Sequence, residues 1–307
     1  MSGVRRIRRR LVSAAQPVLD KTAGMLVGSL LRAVRRLDRV KASNRAAQFM
    51  RTVGPLLKEH RIGRANLRAA YPEKSDTEIE TILRGVWDNL GRVAVEFAHI
   101  DRLAEGDPWH REFIDYDAGS IERFLGLRED GKPALVFAAH LANWELPALI
   151  SAADGLDTAV LYRRPNLGAV ADAVFSLRVG QMGELVPTSM FAPMQLARAL
   201  EANRHVAMLV DQHYVKGVEV TFFGRRCMAN PLMAVLARET EAAIHGTRVI
   251  RIGNGRFRAE VTSPIPPARD AGGKVDVQGT TQAITSVVEG WIREYPDQWL
   301  WLHRRWR

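Results

Sequence analysis

His140 and Glu145 stand five residues apart in the stretch His140-Leu141-Ala142-Asn143-Trp144-Glu145. An imidazole oriented by a carboxylate can take a proton from a hydroxyl, so these residue types suit general-base chemistry. The spacing restricts how they can meet. On a continuous helix, residues five apart are about 140° out of phase and share no face. A meeting therefore requires a turn, with His140 between a strand and a helix and Glu145 in the first helical turn behind an Asn143 cap. The carboxylate then reaches one ring nitrogen while the other faces a crevice. A lone His near a Glu is also what a surface pair or a satisfied core pair looks like, so support has to come from the rest of the chain.

The elements around the pair supply a setting. The apolar run 134–139, bounded by Gly131 and Pro133, reads as a buried strand whose carboxyl end is His140. Pro147 is compatible with a helix that has only just begun. From residue 119 onward the pattern alternates: helix 119–129, strand 133–139, helix 143–153, strand 158–162, helix 166–179, short strand 184–186, helix 193–202 and strand 205–210. Short connections between alternating strands and helices predict an α/β fold, a largely parallel sheet covered by helices on both faces. His140, Arg163 and Asp211 each fall at or just beyond the carboxyl end of a predicted strand, the edge at which open α/β sheets bind ligands.

The remaining elements are an alternating strand at 218–224, a helix capped by Asn230, strands 243–252 and 256–262 around Gly253-Asn254-Gly255, and a last helix at 275–294. Upstream, Ser75 and Glu78 form a capping-box signature for a helix that runs to Phe97 with a break near Gly91. Asn89 and Arg92 on that helix have no spacing that demands a function. The three tryptophans near the basic end (Trp299, Trp301, Trp306) fit nucleic-acid stacking, a membrane-interface anchor or packing, and packing is the commonest reason for buried tryptophan.

Charge divides the chain. Residues 1–70 hold 17 Lys/Arg against 3 Asp/Glu, a net of +14, whereas the remainder has a net of −4. Residues 1–70 are accordingly expected to form a basic, amphipathic, helical, membrane-associated segment, and 71–307 a single α/β domain. Val12, Ala15, Leu19, Leu26, Leu30, Val34 and Leu37 recur at helical spacing among arginines, interrupted by Pro17, Gly24 and Gly28. No window of 18 uncharged apolar residues occurs, which favours an interfacial helix over a spanning one, and a helix packed on its own domain fits the pattern equally well. Charge alone fits nucleic acid as well as an anionic membrane. The single Cys227 excludes an intramolecular disulfide and leaves no cysteine cluster for zinc.

Four stretches taken together resemble a known family. These are His140 to Glu145, Leu161-Tyr162-Arg163-Arg164-Pro165-Asn166, Val210-Asp211-Gln212 with Lys216-Gly217-Val218 and Phe222-Phe223-Gly224, and the tail Trp299-Leu300-Trp301-Leu302-His303-Arg304-Arg305-Trp306. In this order and spacing they resemble the late acyltransferases of lipid A biosynthesis, the lauroyl/myristoyl transferases of the HxxxxD/E superfamily, from about residue 30 onward. The resemblance implies transfer of a fatty acyl group from acyl carrier protein to the hydroxyl of a hydroxyacyl chain on a lipid A precursor. The reaction would take place at the cytoplasmic face of the bacterial inner membrane, with the enzyme peripheral or monotopic there.

On that reading His140 is the base and Glu145 fixes its tautomer. Arg163, Arg164, Asn143 and Asp211 are candidates for substrate or oxyanion binding, along with backbone N–H groups after His140, and Asp211 is also a candidate for orienting Arg163. No metal or organic cofactor is expected, because a thioester is already an activated acyl donor, and no nucleic-acid partner is expected. The alternatives are a glycerolipid or glycolipid acyltransferase of the same superfamily and, in a different class, a nonenzymatic basic protein that binds membrane or nucleic acid.

Overall fold

The computed structural model describes residues 22, 24, 25, 27–163 and 181–306. Arg164, Arg307, the predicted helix 166–179 and most of the basic start of the chain lie outside the described residues.

Among the described residues the strands are β1 (Ile114–Tyr116), β2 (Ala134–Ala138), β3 (Thr158–Tyr162), β4 (Glu184–Pro187), β5 (His205–Leu209), β6 (Val218–Phe222), β7 (Arg225–Ala229), β8 (Ala243–Gly253) and β9 (Arg256–Val261). Seven of them form one sheet in the order β1-β9-β8-β2-β5-β3-β4, in which only the β8–β9 pair is antiparallel. β2 lies between parallel neighbours β5 and β8, both faces covered, which is why its five residues are all apolar and buried and do not alternate. The β8–β9 turn places Asn254 and Gly255 at positive φ (49° and 69°), the geometry that the Asn-Gly pair permits. β1 and β7 were not anticipated. β1 is three residues long and pairs with β9 at the sheet edge, too short to show a period. β7 pairs with β6 in a separate hairpin, and its arginines mask the alternation.

The helices that matter for the site are α1 (Arg39–Val53), α2 (Lys58–Ala70), α3 (Asp76–Ala98), α4 (Ala118–Glu129), α5 (Leu146–Ala153), α6 (Ala192–Glu201), α7 (Leu232–Thr240) and α8 (Val277–Glu294). α3 opens with the expected capping box, in which Ser75 and Glu78 bond reciprocally. The expected break at Gly91 is absent, and α3 runs through it. A Cβ at Gly91 would lie 2.6 Å from the Ala46 carbonyl oxygen, so this glycine serves the close approach of α1 to α3.

One sheet face packs on α6, α7 and α8, with Phe137 stacked on Trp291 at 5.5 Å between ring centroids. Leu67 and Ala70 of α2 share that core with β2, β5 and the tail tryptophans, so the chain on both sides of residue 70 contributes to one core. Trp299 and Trp301 are buried in it, which accounts for them as packing. The opposite face meets α4 and α5 across a cavity. Several N-terminal arginines are engaged within the molecule: Arg35 bonds Asp101, Arg39 donates to the Gly255 carbonyl and stacks on Phe113, and Arg64 and Arg68 pair with Glu80 and Asp76. No helix among the described residues is long and apolar enough to cross a membrane.

Candidate active site

Parallel pairing of β2, β3 and β5 brings the carboxyl ends of all three to one edge, and His140, Arg163 and Asp211 follow those ends directly. Leaving β2, the chain turns sharply at Ala142, a non-glycine residue at φ 46°. That conformation costs about 1–2 kcal/mol and persists only where its surroundings enforce it. Here the Ala142 N–H donates to the Gln298 carbonyl at 2.9 Å, and its own carbonyl accepts from Asn89 Nδ2 at 3.1 Å. The tail completes the brace, since Leu300 N–H donates to the His140 carbonyl at 3.1 Å.

The turn aims the His140 ring at Asp211. Nδ1 lies 2.8 Å from Asp211 Oδ1, and the His140 backbone N–H donates to Oδ2 at 2.9 Å. The Trp299 indole N–H donates to the same Oδ2 at 2.6 Å. With an ionised carboxylate on one side, Nδ1 carries the proton and Nε2 presents a lone pair, facing the Gln212 amide at 3.2 Å. The Asp211 side chain is fully buried and that of His140 only 12% exposed. Burial opposes the charged imidazole, but the charge and hydrogen bond of Asp211, with a smaller contribution from Glu145, hold the His140 pKa above the ordinary histidine value. Burial likewise opposes ionisation of Asp211, and its bonds to His140 outweigh that, keeping the carboxyl well below the usual carboxylate range.

Three expectations are corrected. Asp211, not Glu145, holds the tautomer, because the single N–H on Nδ1 is already committed to it. Asp211 bonds to His140 and Trp299 and so does not orient Arg163. Asn143 is not the helix cap, because α5 begins at Leu146 with no side-chain cap. Its amide instead accepts from the Glu145 N–H at 3.3 Å and donates to Glu96 at 3.0 Å. Both ends of the amide thus help to shape the loop.

Glu145 and Arg163 line the mouth of the cavity beside His140. Arg163 is exposed and pairs with no carboxylate among the described residues, while Arg164 falls outside them. The partners that sequence reading missed are Trp299, Gln212 and a buried group on α3. Asn89 and Glu96 bond Arg251 of β8, with Arg251 Nη2 donating to Glu96 Oε2 at 3.0 Å and Arg251 Nε donating to Asn89 Oδ1 at 3.2 Å. Asn89 therefore supports the Ala142 turn directly, whereas Arg92 pairs, among the described residues, with Asp88 and Asn44. Trp299 reaches Asp211 across 88 residues of sequence, and no local spacing announces such a contact.

Beyond His140 the cavity extends for about 570 Å³ under the sheet. Val136, Ala138, Val160, Ala207 and Val249 form its sheet wall, and Phe124, Leu127 and Ile150 close it from α4 and α5. A base opening onto a long apolar chamber suits an acceptor hydroxyl and a hydrocarbon chain held together. Among the described residues no group of three or more His, Cys, Asp or Glu could hold a metal ion.

A carboxylate-held histidine at the carboxyl edge of a parallel sheet, above an apolar chamber, is compatible with acyl transfer. The chain belongs to the bacterial lipid A biosynthesis acyltransferase family, whose profile matches residues 15–307. It is an acyltransferase, and the family implies an acceptor of the lipid A type. A search of the curated proteins found no match.

Proposed function

We propose that the protein transfers a fatty acyl group from the thioester of acyl carrier protein to the hydroxyl of a hydroxyacyl chain on a lipid A precursor, at the cytoplasmic face of the bacterial inner membrane. The observation that carries this reading is the Nε2 lone pair of an Asp211-held imidazole opening onto an apolar cavity of about 570 Å³. Nε2 takes the proton from the acceptor hydroxyl as its oxygen forms a bond to the thioester carbonyl carbon. The resulting tetrahedral oxyanion collapses, the carbon–sulfur bond breaks, and the imidazolium returns the proton to the departing thiolate. Asp211 and Glu145 stabilise the imidazolium in between. Arg163 serves the anionic end of the reaction, either the oxyanion or a sugar phosphate. The apolar cavity takes a fatty chain, at about 0.8 kcal/mol for each methylene withdrawn from water. The basic N-terminal segment lies on the anionic membrane surface.

The test is transfer by purified protein from an acyl carrier protein thioester to a tetraacylated, sugar-bearing lipid A precursor, with lysophosphatidic acid in parallel. The expected result is acylation of the first and essentially none of the second. Comparable or faster acylation of lysophosphatidic acid would replace this acceptor with a glycerolipid.

A further inference from the structure

We propose that two segments at the cavity mouth, the loop and first helical turn at residues 189–194 and the loop at 214–216, form the surface on which the protein enters the lipid bilayer. This surface is separate from the basic N-terminal segment, and the inference rests on the reading of the acceptor as a membrane lipid.

Large hydrophobic side chains scattered singly on a surface need no explanation, but these are neither single nor scattered. Met190 is 84% exposed, Val215 74%, Phe191 57%, Met194 48% and Tyr214 42%. Both loops leave the sheet at the edge that carries His140. β3, β4 and β5 are mutually parallel, so their carboxyl ends lie side by side, and Thr188 N–H donates to the Tyr162 carbonyl at 2.9 Å just before Arg163. Thr188 and Tyr214 both line the cavity, which makes the loops that contain or follow them its rim.

These side chains are surplus to the core. α6 turns Ala192, Leu196, Ala199 and Leu200 inward and leaves Met194 on its outer side, with Met190 and Phe191 preceding it. The second loop is held out by its own backbone, with Gly217 N–H bonded to the Tyr214 carbonyl at 3.0 Å and Tyr214 N–H to the Met228 carbonyl at 3.3 Å.

The charges that accompany the rim have the sign for a phospholipid surface. Arg163 and Lys216 are exposed and pair with no carboxylate among the described residues, while nearby Glu219 is engaged by Arg226 at 3.7 Å. Apolar tips flanked by cations match the layering of acyl chains beneath phosphate headgroups. An acidic carrier protein would be met by the cations but would have no use for five protruding apolar side chains. The consequence is functional. An acceptor anchored by its acyl chains passes from the leaflet into the cavity mouth with its hydrocarbon never fully in water.

The test uses the full chain with a fluorophore sensitive to its surroundings on M190C or V215C, and on E129C at the opposite edge of the sheet as control. Cys227 is buried and stays unlabelled. On vesicles of phosphatidylethanolamine and phosphatidylglycerol, the probes at 190 and 215 should shift to the blue and be quenched by acyl-chain spin labels, while the probe at 129 is not. The variant Met190→Ser/Phe191→Ser/Val215→Ser should lose about tenfold or more in turnover of vesicle-borne acceptor and keep turnover of detergent-dispersed acceptor within about twofold. Probes at 190 and 215 that stay in water on vesicles would overturn the proposal. So would a triple variant that raises KM only for the donor protein, which would make the rim a docking site for that protein. Insertion of the probes in a protein that acylates no acceptor would instead uphold the rim and reject the acceptor reading.

Discussion

Two buried carboxylates flank the same loop and do different things. Asp211, beneath His140, accepts from the His140 backbone N–H, its ring and the Trp299 indole. Glu96, beneath Asn143, accepts from the Asn143 amide and from the fork of Arg251. Both side chains are fully buried and well supplied with donors. The difference lies in the partner. A guanidinium keeps its protons at any working pH, so Glu96 and Arg251 form a fixed pair that locks α3 to β8. An imidazole releases and accepts a proton near neutrality, and its second nitrogen faces a cavity, so on the proposed reading the same kind of burial under Asp211 serves a base. Burial and donor number do not separate these two carboxylates, and neither does the exposure of their partners, 12% for His140 and 11% for Arg251; the kind of partner and the cavity it faces do.

The contrast breaks most visibly at His140. His140→Ala should lower turnover by about 10²–10⁴-fold while leaving the melting temperature within a few degrees of the wild type. Steady-state kinetics and a thermal melt decide this, and near-normal turnover would remove His140 from the chemistry.

Asp211→Asn comes next, with an expected loss in kcat of about 10²–10³-fold and a change in pH profile. The base works as neutral imidazole, and Asp211 raises the His140 pKa, so wild-type kcat/KM should climb with pH through a value above that of ordinary histidine. Without the Asp211 charge, that acid limb should move to lower pH and reach a lower plateau. Glu145→Gln should move it in the same direction but less, because its contribution to the His140 shift is smaller.

Glu96→Ala probes the other side of the comparison. It leaves Arg251 buried without its counter-charge and should cost about 3–5 kcal/mol of stability, a fall of several degrees or more in melting temperature. An unchanged melt would show that the pair does not hold α3 to β8.

Much of this was legible in the sequence where local pattern and function coincide. The apolar run 134–139 announced β2, the strand ends announced the edge shared by His140, Arg163 and Asp211, and the Ser75 box announced α3. What escaped was long-range. That Asp211 rather than Glu145 reaches Nδ1 depends on the register of β2 against β5, in which Ala138 pairs with Leu209. Five-residue spacing made Glu145 look like the partner because it was near in sequence. Gly91 looked like a break because a tight helix contact and a helix end use the same residue. Trp299 and Arg251 bear on the loop from 88 and 155 residues away from their respective partners, Asp211 and Glu96, and neither carries a local signature.

The most direct test of the central claim, that Asp211 sets the His140 base, is the ring tautomer itself, read by ¹⁵N NMR of histidine-labelled protein with His140→Gln to assign the signal. Wild type and Glu145→Gln should show His140 protonated on Nδ1 with Nε2 bare, and Asp211→Asn should lose that preference. Retention of the tautomer in Asp211→Asn together with its loss in Glu145→Gln would contradict the account and return the role to Glu145.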